Sequence, residues 1–304
     1  MESTTRSPVL FLIFNRLDTA ERVFAEIRKA QPTRLYIAAD GPRPDKPGEL
    51  EKCLQARALL QKVDWNCEVK TLFRETNLGC RNAVSEAVTW FFEHETEGII
   101  LEDDCLPHQD FFPFCTEMLA RYRDDVGVFA ISGSNIIGTR SQEADYFFSL
   151  VGGIWGWASW RRAWAHYRLN IQPEFTSSNW RKIRHNLRNV PLARTLETIL
   201  RAELIEREPN TWDYQWLFMR MLLNGKSVIP NSNLVSNLGF STESTHTQES
   251  DNPLANLPMM ALRAPFRQPA DETALAAFDA AYLRHFRKPL LCRLHTKLRK
   301  WFHV

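Results

Sequence analysis

The sequence has 304 residues, is 44% hydrophobic and 24% charged, and carries a net charge of +2 at neutral pH. This length and composition are typical of a folded protein with one large domain, or with one domain and a smaller appendage. The near-neutral charge gives no support for nucleic-acid binding, and we expect no nucleic-acid partner. The 10 Trp and 19 Phe residues instead suit flat, amphipathic ligands such as sugars.

The first 134 residues alternate between apolar runs and amphipathic segments. The apolar runs predict strands at residues 9–14, 34–40, 67–73, 98–101 and 125–133. The amphipathic segments predict helices that begin at Asp18 or cover residues 49–63 and 82–94. Strands and helices in this order predict an α/β fold with a mostly parallel central sheet flanked by helices.

Two features of the sequence bear on the cellular compartment. The first apolar run, VLFLIF, is too short for a signal peptide core or a membrane span. The six cysteines contain no Cys-x-x-Cys pair, so neither a zinc site nor a disulfide framework is expected, and a reducing cytoplasm is predicted. These cysteines are Cys53, Cys67, Cys80, Cys105, Cys115 and Cys292.

Carboxylates follow two of the predicted strands. Asp40 ends the second strand, and Glu102, Asp103 and Asp104 follow the fourth. Because ligands of parallel sheets bind beyond the carboxyl ends of the strands, we expect these side chains to share a site. Such a cluster can hold Mg²⁺ or Mn²⁺, or supply an acid/base pair. The alternative is a solvated helix start, where acids are also favoured.

The segment LEDDCLPHQDFF, residues 101–112, resembles the DxD-type motif of the GT-A-fold glycosyltransferases. The resemblance is nearest to the branch that contains N-acetylglucosaminyltransferase I and its O-mannose-glycan relative, and it runs from about residue 8 to about residue 250. It implies a GT-A fold and an inverting hexosyl- or N-acetylhexosaminyltransferase. The implied donor is a nucleotide-diphosphate sugar, in the first place a UDP-sugar, and the implied cofactor is Mn²⁺ or Mg²⁺.

The same resemblance assigns donor-binding roles to residues of the first half. Asp104 would ligate the metal, while Glu102 and Asp103 would face the sugar and the ribose of the donor. Asp40, in IAADGP, would accept the N3 hydrogen of uracil, and the alternative is a local turn of its own loop. Arg81, in RETNLGCRNAV, would lie near the uridine or be a surface charge.

Asn15 and Arg16 end the first strand and could reach the base or the diphosphate. Their position follows from the strand order, because the chain leaves the sheet at the same edge as the acids.

The segment NTWDYQW offers a general base for an inverting transfer. Asp213 lies between Trp212 and Tyr214, and such aromatic surroundings can raise a carboxyl pKa and stack on an acceptor sugar. It resembles the Trp-Asp segment whose aspartate is the base in the enzymes named above. The alternative, compatible with this role, is an N-cap for the helix that follows.

Two further segments resemble loops around the ligands in this branch. VGGIWGWASW would place Gly156 close to the ligand and make a wall of Trp155 and Trp157, although at least one Trp of this segment is expected in the core. STESTHTQES resembles a loop that covers the donor, in which His246 would reach the metal or diphosphate. The alternative for His246 is a solvated position.

The domain prediction is a GT-A domain over residues 1–265 and a helical, basic amphipathic tail over residues 266–304. The tail segment RHFRKPLLCRLHTKLRKWFHV contains no acid and suits an anionic membrane surface. Its alternatives are a helix packed on the domain and a frayed end.

The start of the sequence close to the first strand favours a bacterial-type cytoplasmic transferase at the inner face of the membrane over an anchored Golgi enzyme. We therefore expect a glycan or lipid-linked glycan acceptor, as in polysaccharide biosynthesis. Two rival functions stay open at this point. A sugar nucleotidyltransferase would be expected to carry a Gly-rich loop after the first strand, which LIFNRLDTAERV lacks. A non-catalytic glycan-binding protein could keep the same fold.

Overall fold

The computed structural model describes residues 5–139, 141, 143–207, 209–240 and 254–285. The strands are β1 Val9–Ile13, β2 Arg34–Ala39, β3 Glu68–Phe73, β4 Glu97–Glu102, β5 Cys105–Pro107, β6 Val128–Ser132, β7 Tyr146–Ser149, β8 Trp157–Trp160, β9 Lys226–Pro230 and β10 Val235–Asn237. The α-helices are α1 Leu17–Ala30, α2 Glu49–Arg57, α3 Gly79–His94, α4 Phe111–Arg121, α5 Arg161–Trp164, α6 Ser177–Leu187, α7 Val190–Leu204, α8 Asp213–Leu222 and α9 Ala276–His285.

The fold is α/β, with an eight-stranded sheet in the order β3-β2-β1-β4-β8-β6-β9-β7 and a small sheet of β5 and β10. The prediction of a mostly parallel sheet is wrong, because the sheet is mixed. β8 lies between β4 and β6 and is antiparallel to both, and β7 is antiparallel to β9. The Gly- and Trp-rich sequence around β8 resembles a loop, and a four-residue strand buried on both faces carries no periodic signal of its existence or direction.

The predicted parallel half of the sheet is present at β1 to β4, and its side chains alternate between two cores. Phe11 and Ile13 of β1 pack on the α1 side with Phe24, while Leu10 of the same strand packs on the α3 side with Phe91. All five side chains of β1 are buried, and burial of each large apolar side chain stabilises the fold by about 1.5–3 kcal/mol. The strand ends that carry the acids are therefore supported by packed cores on both faces of the sheet.

A third core lies between α6, α7 and α8 and fixes the second half of the chain. Trp180, Leu200 and Phe218 are almost fully buried there, and the rings of Phe218 and Trp180 meet edge to face at 5.6 Å. This core sets the direction of α8, whose first residue is Asp213.

Part of the predicted C-terminal tail is packed on the main sheet. Phe266 is buried and contacts the ring of Phe114 at 5.2 Å, and Phe278 of α9 contacts Phe147 of β7 at 5.0 Å. The α9 carboxylate of Asp279 accepts a hydrogen bond from Ser149 Oγ at 2.6 Å. Residues 266–285 of the predicted tail thus belong to the folded unit, whereas residues 286–304, which hold most of the basic tail, lie outside the described residues.

Within the described part of the chain, none of the helices combines the length and the apolar character that crossing a bilayer requires. The five described cysteines are free thiols.

Candidate active site

A cleft with a cavity volume of about 240 Å³ opens at the carboxyl ends of β1, β2 and β4. Five of the residues predicted to bind the donor or metal line this cleft: Arg16, Asp40, Glu102, Asp103 and Asp104. They come from three different strand ends, which the parallel register of the strands brings to one edge. The rest of its wall is largely apolar and comes from the strand ends and α3.

Arg16 joins two of the three clustered acids. Its Nη2 donates to Asp103 Oδ1 and, at 2.9 Å, to Asp104 Oδ2. The backbone N–H of Phe14 donates to the other oxygen of Asp103 at 3.3 Å. Because Asp103 is only 3% exposed, this arginine supplies the positive charge that a buried carboxylate requires.

The mutual repulsion of the acids appears in their protonation. Burial raises the pKa of Glu102, and the charges of Asp104, Asp103 and Asp213 raise it further. Burial also raises the pKa of Asp103, although Arg16 opposes that shift. Burial disfavours the cationic form of Arg16 itself, but the two aspartates outweigh burial and its pKa lies above the ordinary value. Burial and the neighbouring carboxylates thus disfavour the charged forms of Glu102 and Asp103, and Arg16 opposes this effect.

Asp40 lies at the mouth of the cleft and caps the N-terminus of α3. Its carboxylate accepts from the backbone N–H groups of Leu78 at 2.9 Å and Gly79 at 3.0 Å, and from Asn77 Nδ2 at 2.9 Å. It also accepts from the N–H of Gly41 at 2.9 Å, which is the local turn expected as the alternative role of this residue. A carboxylate offers about four acceptor sites, so a uracil N3–H would have to replace one of these donors.

The hydrogen bonds of Asn15 and Arg81 go to groups outside the cluster of Glu102, Asp103 and Asp104. Asn15 Nδ2 donates to Glu49 Oε1 at 2.9 Å. Arg81 lies in the first turn of α3 and donates through Nη2 to the carbonyl oxygen of Leu169 at 2.8 Å. Their predicted contacts with the donor stay predictions.

Two arginines without a predicted role also line the cleft. Arg43 pairs with Glu49, and Arg74 pairs with Glu86 at 2.9 Å. Arg74 directly follows β3, so the rule that ligands gather at strand ends could have found it. Arg43 lies in the loop after Asp40 and carries no comparable signal.

The small sheet brings a later segment against the acids. Because β10 pairs with β5, the chain after Asn237 passes Asp104, whose carbonyl oxygen accepts from Leu238 N at 2.8 Å. Gly239 lines the cleft, and a Cβ at this position would overlap Asp104 Oδ2. A side chain at this position would require the Asp104 carboxylate to move, and no local sequence pattern indicates this close approach.

Asp213 begins α8 and lines a second cavity of about 50 Å³. Thr211 Oγ1 donates to its Oδ1, and the N-terminus of a helix favours a carboxylate. Cys80 lines the cleft, and its pKa is raised above the ordinary value. The largest cause is burial, followed by the charge of Glu102 and then by the charge of Asp213. Asp213 is therefore within electrostatic range of the cleft, and it contributes to the raised pKa of Glu102 as well.

The aromatic residues near these cavities divide into core and edge. Trp157 and Trp212 are each 1% exposed, and their rings stack with centroids 5.5 Å apart, which places both in the core. For Trp157 this is the core position expected of at least one Trp of its segment. The burial of Trp212 leaves it no exposed ring face for the acceptor sugar that the sequence assigned to it. Trp155 is half-buried and contacts Phe240 edge to face at 5.7 Å. Gly156 adopts φ +59°, a conformation that favours glycine.

The residues of the cleft fit a divalent cation of the kind that one or two carboxylates hold together with ligand oxygens and water. Asp104 lines the cleft with a partly exposed carboxylate, and Glu102 lies beside it. Over the described residues, no group of three or more His, Cys, Asp or Glu side chains is arranged to hold a metal by itself. His246 lies outside the described residues.

No family model matches the chain, and no curated protein matches it. A solved structure that is similar to part of it is HddC from Yersinia pseudotuberculosis, at 11% sequence identity. The match covers 56% of this chain and 87% of the HddC chain, with a TM-score of 0.34. A similarity this low supports no conclusion about function, so the function must be inferred from the residues of the cleft.

Proposed function

We propose that the protein is an inverting, metal-dependent glycosyltransferase of the GT-A type. The proposed donor is a nucleotide-diphosphate sugar, in the first place a UDP-sugar, and the acceptor is a glycan or lipid-linked glycan. The observation that carries the proposal is the cleft at the carboxyl ends of β1, β2 and β4, which Asp40 and the acids Glu102, Asp103 and Asp104 line together.

The cleft offers surfaces suited to each part of such a donor. Leu12, Ala38, Leu72 and Val84 give an apolar wall against which a flat base can pack. Arg43 and Arg74 supply positive charge for a diphosphate. The carboxylates of Glu102 and Asp104 suit its counter-ion. In this scheme Mg²⁺ or Mn²⁺, held by Asp104 and Glu102, would neutralise the diphosphate when bound.

On the acceptor side, Asp213 would take the proton of the attacking hydroxyl. The Thr211 hydroxyl donates to Oδ1 and so orients the carboxylate that would take this proton. A cytoplasmic location, expected from the scattered cysteines, is part of the same proposal.

Calorimetry against a panel of nucleotide sugars, with and without Mn²⁺, tests the proposal. We expect binding of at least one member of the panel that weakens at least tenfold, by about 1.4 kcal/mol, when Mn²⁺ is withheld. Asp104→Ala should lose the Mn²⁺-dependent part of the affinity, because its carboxylate would be the ligand. A protein that binds glycans but none of these nucleotides would instead be a glycan-binding protein, and the transferase proposal would be rejected.

Gly239→Ala should weaken donor binding, although the substitution removes no charged side chain. A Cβ that overlaps Asp104 Oδ2 forces this carboxylate to turn, and the affinity for the donor should fall about tenfold. Gly127→Ala is the matched control, because its Cβ would also meet an aspartate oxygen, that of Asp125 at 3.1 Å, away from the cleft. Equal dissociation constants for the two variants would contradict a donor-binding role for Asp104.

A further inference from the structure

Arg220 is a buried cation on the helix that carries Asp213. It is 1% exposed and lies seven residues, or about two helical turns, after Asp213. Both residues line the second cavity, so α8 presents the proposed base and this arginine to the same space. A hydrophobic side chain would pack there at less cost than an arginine, which raises the question of what its guanidinium does.

The guanidinium of Arg220 holds backbone rather than a carboxylate. Its Nη2 donates to the carbonyl oxygens of Gly152 at 3.0 Å and Val151 at 3.2 Å, and its Nη1 donates to Ser227 Oγ. Burial lowers the pKa of Arg220 to about 10, against the opposing charges of Tyr282 and Asp279, so it stays a cation near neutral pH. A charged donor that grips two successive carbonyls fixes the position of a loop, which an apolar residue cannot do.

That loop lines the second cavity and, at its other end, contacts the residue that follows Gly239 of the main cleft. The glycine loop, residues 150–156, joins β7 to β8, and Gly152 and Gly153 line the second cavity. A Cβ at Gly152 would stand 2.6 Å from Ser227 Cβ, so the loop has no room to shift toward β9. At its far end Trp155 contacts Phe240, which follows the glycine beside Asp104. A displacement of this loop would therefore reach both proposed subsites.

The helix α9 contacts the same loop. Asp279 accepts from Ser149 Oγ at 2.6 Å and from the N–H of Leu150 at 3.4 Å. The hydroxyl of Tyr282 would lie 3.3 Å from a Cβ at Gly153, and Tyr282 also lines the second cavity. Arg220 and α9 thus both hold the start of the glycine loop.

We infer that Arg220 is a positioning residue, which fixes the glycine loop next to Asp213 by gripping the carbonyls of Val151 and Gly152 against the support of Asp279. The inference rests on the proposed transferase function for its effect on turnover, but not for its effect on the loop. It adds to the site a residue that acts through the backbone of the glycine loop.

The test compares Arg220→Met, Arg220→Lys and a destabilised control, Leu187→Ala, whose side chain is buried in the same core at the end of α6. Hydrogen exchange of the amides of residues 150–156 should be faster in Arg220→Met than in Leu187→Ala, with Arg220→Lys between Arg220→Met and the wild type. In transfer assays below each unfolding midpoint, Arg220→Met should lower kcat/KM for the acceptor by about 10²-fold, as misplacement of about 1 Å can do. The donor dissociation constant should change far less than this.

The readouts separate the two ideas. If exchange of the loop in Arg220→Met equals that in the control, the positioning role is overturned. If the loop exchanges faster but the wild-type protein transfers no sugar, the proposed function fails while the role of Arg220 in the loop stands. Normal acceptor kinetics in Arg220→Met, with active wild-type protein, would also overturn the inference.

Discussion

Asp213→Asn is expected to lower kcat for sugar transfer by about 10²- to 10⁴-fold, the usual contribution of a general base. Asparagine keeps the shape of the side chain and can still accept from Thr211, but it cannot take the proton of the acceptor hydroxyl. Donor binding should persist, because Asp213 lines the second cavity whereas the donor would occupy the main cleft. Steady-state transfer assays and calorimetry of the donor measure the two effects separately.

A matched control exists for this substitution. Asp18 also lies in the first turn of a helix, α1, and is exposed, so Asp18→Asn removes an equivalent charge from an equivalent helical position. The loss of a charge at a helix start costs about 0.3–1 kcal/mol of stability, and both variants should show it. Only Asp213→Asn should lose turnover. Full turnover in this variant would assign the base to another carboxylate, with Glu102 the first to test.

Arg16→Met is expected to cause the largest loss of stability among substitutions at the cleft. It removes the guanidinium that bonds to Asp103 and Asp104 and leaves three neighbouring acids without that charge. Removal of one partner from a buried pair costs about 3–5 kcal/mol as a rule, and because Arg16 is partly exposed we expect a value of about 3 kcal/mol. Urea unfolding in the presence of a chelator measures it.

Two further variants give this prediction its controls. Arg28→Met breaks the exposed pair of Arg28 with Asp64 and should change stability little, because solvent screens surface pairs. Arg16→Lys keeps a cation but loses the planar, two-carboxylate contact, so its stability should lie between those of Arg16→Met and the wild type. If Arg16→Met is as stable as Arg28→Met, the acids do not depend on Arg16 for compensation.

Added Mn²⁺ gives an independent readout on the same variant. A divalent ion at Asp104 would supply positive charge where Arg16 no longer does, and a ligand that binds only the folded state raises its stability. We therefore expect Mn²⁺ to stabilise Arg16→Met more than it stabilises the wild type. Equal stabilisation of both would place the ion away from these acids.

The parallel half of the fold is predictable from the sequence because its signals are local. Apolar runs at β1, β2 and β4 are long enough to mark strands, and amphipathic segments mark α1 and α3 between them. Strand–helix alternation then places the strand ends at one edge, which is why residue order alone groups Asp40 with the acids after β4. In the structure, Asp40 and the acids after β4 line the same cleft.

Other features depend on contacts between residues far apart in the chain. The pairing of β10 with β5 brings Gly239 to Asp104, and α8 and β7 bring Arg220 to the glycine loop, across 135 and 68 positions respectively by their residue numbers. In sequence, Trp157 and Trp212 cannot be told apart from a Trp that faces a ligand. Only their burial in the structure shows that they belong to the core. The mixed sheet likewise follows from where β8 inserts, which its four residues do not encode.

Residue order is enough to establish which charged side chains lie at the strand ends. It also establishes that a sheet flanked by helices brings these side chains together, because periodicity and strand order are properties of neighbouring residues. Folding of the whole chain establishes the rest: Arg16 neutralises two of these acids, the lone pairs of Asp40 serve the start of α3, and Asp213 faces a separate cavity within electrostatic range of the cleft. These outcomes depend on distances between side chains that lie far apart in the chain, and packing of the complete fold sets those distances.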